Sequence, residues 1–442
     1  MKASVPTAPL TILEALRRNG HEAWLVGGGV RDLLLKRPPK DWDIVTSAHP
    51  EEIEATFPRT VAIGKAFGII TVVLPDHPPV DVATFRADST YADGRHPQGI
   101  TFTNAREDAL RRDFTINALL YDPATDTIRD YVNGQADLHA RLIRAIGDPR
   151  RRFQEDHLRM LRAVRFAATL GFTIEPATAD AIRELAPHIR RISAERIRDE
   201  LFRLLTEARP AGAALQMLHD TGLLAKILPE VTAMIGVEQP PEFHPEGDVF
   251  THTRLMLDLL PPHPPLALAL AVLLHDVGKP PTANYATLPD GTQRWRFENH
   301  AAIGADMSRA ILERLRAPHA LIEDVVTSIA GHMRISSARQ MRPAKLRRLL
   351  GSPTFDLELE LHRLDCLSSH AQLDVYDFLT AQKAEYAAEP ILPAPIVTGR
   401  DLIACGHTPG PAFSSMLKAA YDRQLEGVTD KNALLEPFRK IQ

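Results

Sequence analysis

From about residue 10 to 135, short apolar runs alternate with turn-forming residues. The run ending at Gly20 reads as the close of a helix, residues 23–28, 41–46, 68–74 and 79–85 as strands, and residues 111–121 as a resumed helix. That is the pattern of a mixed α/β unit. From about 136 to 235, apolar residues recur at three and four, as in residues 157–170 and 194–205, with no strand candidate between them. An all-α block is expected there. Gln239-Pro240-Pro241-Glu242-Phe243-His244-Pro245 cannot continue a helix and marks a junction. Helical, histidine-rich segments follow over 250–375, then a second proline cluster from Pro390 to Pro395 and a short helical tail. Four parts are expected: 1–138, 139–238, 239–375 and 376–442.

Composition narrows the class. The 442 residues are 44% hydrophobic and 24% charged, a balance suited to globular domains with sizeable cores, and length alone allows about three of them. Two cysteines, Cys366 and Cys405, do not make a disulfide framework. The first ten residues lack the apolar core of an export signal, and no apolar run is long enough to cross a bilayer, so a cytoplasmic protein is expected, with no membrane partner. A net charge of -4 argues against indiscriminate coating of nucleic acid but leaves room for a local basic surface.

The first candidate chemistry is Asp41-Trp42-Asp43. Period-two geometry turns both carboxylates to one side of a strand, where their repulsion is relieved by a divalent cation; hard oxygen ligands of this kind suit Mg²⁺ with substrate phosphates. Asp81 offers a third acid from a neighbouring strand. Gly27-Gly28-Gly29 follows a strand and opens a helix, so its backbone can approach a triphosphate. An Asp-x-Asp alone is usually a solvated pair, and a glycine triplet alone is weak. Their order is what is specific: strand, glycine turn, helix, then the carboxylate pair.

That arrangement resembles the nucleotidyltransferase superfamily. Residues 25–35, 41–47, 80–86 and 111–123 together resemble a class II tRNA nucleotidyltransferase, a CCA-adding enzyme, over roughly 20–205. The resemblance implies an α/β (mixed) nucleotidyltransferase head, an all-α neck and body, and catalysis by Asp41, Asp43 and Asp81. It also implies nucleotide binding by Gly28, Gly29 and Arg31, and by Arg111, Arg112, Asp113 and Asn117, the family motif for ribose and triphosphate. The polar turn Asp93-Gly94-Arg95-His96-Pro97 resembles the loop associated with switching to adenine.

Glu155-Asp156-His157-Leu158-Arg159 reads as one arginine-rich helical run in which Asp156 and Arg159 share a face. A carboxylate beside a guanidinium complements the donor–acceptor order common to cytosine and adenine, whereas guanine and uracil present the reverse order and leave buried groups unpaired. Alone, such a spacing is ordinarily a surface ion pair. By resemblance, Asp156 and Arg159 are the protein template for CTP and then ATP, with Arg162 and Arg165 beside them. The arginines of 141–165 form a local cationic excess, with a second group at Arg190, Arg191, Arg196, Arg198 and Arg203; such stripes can track the phosphates of a tRNA acceptor end, and the first is expected to matter more.

A second metal site is expected further on. His275-Asp276 closes the apolar run 266–274, and an imidazole and a carboxylate at a helix end can bind a divalent transition metal, with His252 and a later acid, Asp365, completing the sphere. His300 and His332 are placed to serve a second metal or a phosphate. These residues resemble an HD-type phosphohydrolase domain, which implies Ni²⁺ or Mn²⁺ and phosphatase or 2′,3′-cyclic phosphodiesterase activity. The expectation is thus an enzyme that adds CCA to tRNA without a nucleic-acid template, using CTP, ATP and two Mg²⁺ ions held by Asp41 and Asp43 in a two-metal nucleotidyl transfer, and not acting on DNA. The alternatives are a CC-only or A-only relative, a bacterial poly(A) polymerase, and an HD phosphohydrolase whose head only binds RNA. Oligomeric state is not legible.

Overall fold

The computed structural model describes residues 4–88, 100–287, 291–386 and 390–439. The Asp93–Pro97 turn lies outside them. The chain forms two compact units, Met1–Pro229 and Glu230–Gln442.

In the first unit, a seven-stranded sheet runs in the order Thr60–Val61, Ile69–Val72, Val80–Thr84, Asp43–Thr46, Ala23–Val26, Leu120–Asp122, Thr127–Arg129. The strands expected at 23–28, 41–46, 68–74 and 79–85 are all present, each shorter than its apolar run. Asp43–Thr46 lies antiparallel to Ala23–Val26 and parallel to Val80–Thr84, and the register sets Asp43 against both Val26 and Asp81. Sheet pairing thus brings the glycine turn after Val26, the Asp-x-Asp and the third acid to one end of three adjacent strands.

Residues 111–121 are not a helix. Phe114 is extended, Thr115–Asn117 is a single 3₁₀ turn, and Leu120–Asp122 is a strand of the sheet. The cause is local: the Asp113 carboxylate accepts from the Phe114 backbone N–H and from Asn117 Nδ2, competing with the helical ladder, while Thr115 N–H bonds to Arg144 O. The helical part that follows includes Pro149–Glu155, Leu158–Leu170, Pro176–Leu185, Ala194–Glu207 and Ala211–Asp220. It carries one short pairing that the periodicity did not announce, Leu142–Ile143 parallel to Thr173–Ile174.

The second unit is helical around Leu266–Leu274, whose residues from Leu268 onward are all buried; a helix apolar on every side can sit only in a core. Val249–Asp258, His319–Gly331 and Phe355–Ser368 pack against it. An antiparallel hairpin, Ala283–Thr287 with Gln293–Phe297, interrupts the expected all-α pattern. Gly399–Ala404, Pro411–Leu425 and Lys431–Leu435 enclose a small core of Leu402, Ala420 and Leu434. Among the described residues no helix is long and apolar enough to cross a membrane.

Candidate functional site

In the first unit the carboxylates gather beside the glycine turn. Gly27 sits at φ 79°, where a side chain is strained, and a Cβ there would come 3.1 Å from Asp43 Oδ2. At Gly29 a Cβ would stand 2.7 Å from the Asp41 carbonyl, so the backbone passes too close for any other residue. Burial, then the charge of Asp41, pushes the Asp43 carboxyl up to about 6; Arg112 pulls it down and Asp81 adds to the rise. Three acids crowded this way are short of positive charge, which is the condition a divalent cation relieves. Asp81 is exposed, its Oδ1 2.5 Å from Thr71 Oγ1, and Asp41 is exposed just ahead of its strand.

Arg111 and Arg112 are both held by Asp108, a fully buried carboxylate that sequence reasoning passed over: Arg111 reaches Oδ1 at 2.7 Å and Arg112 reaches Oδ2 at 3.0 Å. Its spacing of three and four from the two arginines on one helical turn was the available signal. Arg31 donates to Asn117 Oδ1 at 2.9 Å and pairs with Asp32. Arg31, Arg162 and Arg165 surround the Phe166 ring at 5.2, 5.2 and 4.2 Å. Arg162 grips Asp113 Oδ2 at 2.7 Å and faces Glu200, which also takes Arg165.

Asp156 and Arg159 do not share one continuous helix. Asp156 ends Pro149–Glu155 in an extended conformation, and Leu158–Leu170 begins after it, with Asp156 Oδ1 accepting from the Leu158 N–H. Nor do they pair with each other: Asp156 meets Arg196 at 2.7 Å, and Arg159, buried, meets Glu155 at 2.6 Å and the Arg152 carbonyl at 3.0 Å. The ordinary i,i+3 ion pair is absent, and each group carries another charged partner.

The cationic excess of 141–165 is divided between interior and surface. Arg159 and Arg165 are buried, Arg152 turns inward to the Leu110 and Arg111 carbonyls, and Arg144 pairs with Asp137 and Glu175. Arg141, Arg150 and Arg151 remain exposed, as do Arg190, Arg191 and Arg203 of the second group. A helical arginine is drawn inside when a distant acid waits for it, and sequence spacing does not report distant acids.

The Asp113–Arg162 pair gives a stability prediction. Burial opposes ionisation, but Arg162 and Asn117 hold the Asp113 carboxyl down at about 2. A depressed acid contributes stability that is complete above its unfolded value and is lost as pH falls toward its folded one, here on the order of 2 kcal/mol. Urea unfolding of the parent and Asp113→Asn should therefore differ by that amount at pH 7, with the gap roughly halved near pH 3; a pH-independent gap contradicts the assignment.

In the second unit, His252, His275, Asp276, His300, His332 and Asp365 converge. His252 Nε2 lies 3.0 Å from Asp365 Oδ1, His275 Nε2 lies 3.1 Å from Asp276 Oδ2, and His300 Nε2 lies 3.3 Å from His332 Nε2 and 3.7 Å from Asp276 Oδ1. Among the described residues three candidate ligand sets emerge, His252–His275–Asp365, Asp276–His300–His332 and, sharing His252, His244–Glu246–His252, each with its atoms within 4.8 Å of one another. Lys279 Nζ approaches Asp276 at 2.7 Å, yet neither Asp276 oxygen receives an aligned hydrogen bond, and His252 Nε2 and His275 Nε2 are likewise buried without one. Buried polar atoms left in this state, aimed at one point, fit a divalent metal. His275, His300 and His332 anchor Nδ1 on the carbonyls of Val272, Phe297 and Ile329, fixing the tautomer that offers Nε2. Burial, then His275, lowers His332 to about 4, keeping it in the neutral form that binds metal. His252 is opposed by burial but raised to about 9 by Asp365 and Glu246. A cavity of about 560 Å³ opens over the cluster, lined by Lys279, Arg294, Trp295 and Phe297 among others.

Three family models match the chain: the Poly A polymerase head domain over residues 23–144, the Probable RNA and SrmB- binding site of polymerase A over 171–235, and the HD domain over 248–369. The CCA-adding enzyme of Lactobacillus johnsonii is 46% identical over 222 residues, 50% of this chain and 55% of that protein. That of Geobacillus thermodenitrificans is 47% identical over 216 residues, 48% of this chain and 52% of that protein. The chain thus spans about half the length of the curated relatives it matches. Among solved structures, the Bacillus stearothermophilus CCA-adding enzyme in complex with CTP aligns with a TM-score of 0.71 at 27% identity, over 97% of this chain and 96% of that one. The Thermotoga maritima CCA-adding enzyme complexed with tRNA shares the fold, with a TM-score of 0.59 at 19% identity over 98% and 96%.

Proposed function

We propose that the chain, whose residues 23–144 match the Poly A polymerase head domain, is a tRNA nucleotidyltransferase that adds C, C and A to the 3′ end, selecting CTP and ATP without a nucleic-acid template. The observation that carries the reading is the convergence of Asp41, Asp43 and Asp81 against the Gly27–Gly29 turn. Asp41 and Asp43 would hold two Mg²⁺ ions, which would supply charge neutralisation for nucleotidyl transfer to the 3′-hydroxyl. The glycine turn lets the triphosphate come close. Arg112, oriented by Asp108, presents a guanidinium on the same side, and Arg111 is oriented with it. Asp156 and Arg159 exchange their present partners for the edge of cytosine or adenine. Guanine and uracil meet them with the wrong order of donors and acceptors.

Incubating the chain with tRNA lacking its terminal nucleotides and each labelled NTP in turn tests this. Products ending in CCA support the reading, products ending after CC or adding only A point to the divided forms, and long adenine tails point to a poly(A) polymerase. Replacing Asp156 with alanine should relax discrimination against GTP and UTP by roughly 10- to 100-fold in kcat/KM, the scale of one lost base-edge pairing. Unchanged discrimination would remove Asp156 from the template.

The metal cluster favours a second activity in the same chain. We propose that the second unit hydrolyses phosphate esters with a transition metal such as Ni²⁺ or Mn²⁺, held by His252, His275, Asp276 and Asp365, with His300 and His332 completing a second position. A metal held there would supply an activated water, and Lys279 and the cavity's arginines would meet the phosphate.

A further inference from the structure

His252 stands apart from the other three imidazoles of the cluster. His275, His300 and His332 rest Nδ1 on backbone carbonyls, whereas His252 Nδ1 lies 2.6 Å from Glu246 Oε1, a carboxylate 7% exposed. The same Glu246 oxygen meets His244 Nδ1 at 2.9 Å, and Glu246 Oε2 is buried with no hydrogen-bond partner. The ring of His244 packs edge-on against that of His252, centroids 4.9 Å apart. Glu246 lies in the irregular stretch just before Val249–Asp258, the helix that carries His252. Asp248 caps that helix through the Thr251 N–H and also takes the Gly236 N–H, so the backbone on the His252 side of Glu246 is held at its own point.

Resting on the metal-site reading above, we propose that Glu246 is a positioning residue for His252: it fixes the Nδ1–H tautomer, aims Nε2 at the ion beside Asp365, and makes His252 a more basic ligand than the three imidazoles held by carbonyls. A carboxylate behind a ligating imidazole raises its donor strength, and losing such a partner typically weakens metal affinity 10- to 100-fold. His244 steadies Glu246 from the far side and does not itself bind the ion.

The experiment is Mn²⁺ and Co²⁺ titration of the metal-stripped full chain, followed by calorimetry and by the visible absorption of Co²⁺. Glu246→Ala should lose 10- to 100-fold in affinity with unchanged stoichiometry at saturation. Glu246→Gln, whose amide oxygen still accepts from Nδ1–H, should fall between the two, and His244→Ala should shift affinity by less than about threefold. Melting of the stripped proteins reports whether each variant is folded, and the intermediate position of Glu246→Gln separates positioning from general loosening. Parent-like affinity in Glu246→Ala overturns the inference while leaving the metal reading intact. An equal loss in His244→Ala, with one fewer ion bound, overturns it by making Glu246 and His244 direct ligands. A parent chain that binds neither metal overturns the metal reading and this inference together.

Discussion

Asp43→Ala should lower incorporation of both CMP and AMP by about 10³-fold or more, with tRNA binding and the melting temperature little changed. The size follows from what Asp43 is asked to do. Phosphoryl transfer offers the protein little covalent chemistry, so positioning and charge supply nearly all the acceleration. Asp43 is the most enclosed of the three acids, and the crowding that pushes its carboxyl up to about 6 is the same crowding that a cation relieves. Without it, Asp41 and Asp81 are left as exposed carboxylates on either side of a gap. The fold should tolerate the change, since removing one of three mutually repelling acids costs the folded state little. Single-turnover incorporation with saturating CTP, and then ATP, reads the effect. A loss confined to ATP would mean that Asp43 serves base selection instead, and an active variant would remove the head from the chemistry.

The second large effect is expected at Asp276. Its carboxylate is the one acid facing both ligand sets, 3.1 Å from His275 on one side and 3.7 Å from His300 on the other. Asp276→Asn keeps its volume but removes its negative charge and leaves one neutral carbonyl oxygen as a ligand, with Lys279 facing an amide. Bound metal should fall to background by elemental analysis, and hydrolysis of a simple phosphomonoester should fall by about 10³-fold. CMP incorporation should stay at the parent level, because the acids that would serve it lie in the other unit. If both activities fell together, two independent sites would be the wrong description.

The parts that sequence made legible share one property: their chemistry is carried by residues near a strand end or a helix end, where local pattern fixes the position. Asp43 and Asp81 were readable because each lies on a short strand beside the glycine turn, with Asp41 just ahead of the first. The six clustered histidines and aspartates of the second unit were readable as types in order, although nothing along the chain says that His252 and Asp365 come within 3.0 Å. The setting of the arginines was not legible for the opposite reason. Arg165 is buried against Glu200 and Arg162 half-buried against Asp113, partners far away in sequence that helical periodicity does not report. Residues 111–121 failed because an aspartate bonding its own neighbour's N–H outweighed a helix-like apolar spacing. Glu246 was hidden in a proline-rich stretch taken only as a junction; the nearby pair His244 and Glu246 was the signal available there.

The six candidate ligand residues of the second unit stand on or beside five separate helices, beginning with Val249–Asp258 and ending with Phe355–Ser368. Ions held as proposed would fasten the first of those helices to the last, like rivets through a stack of plates. Chelation should therefore do more than silence hydrolysis: it should expose this half to proteases and lower its unfolding temperature, while the half that carries the carboxylate triad digests at its former rate.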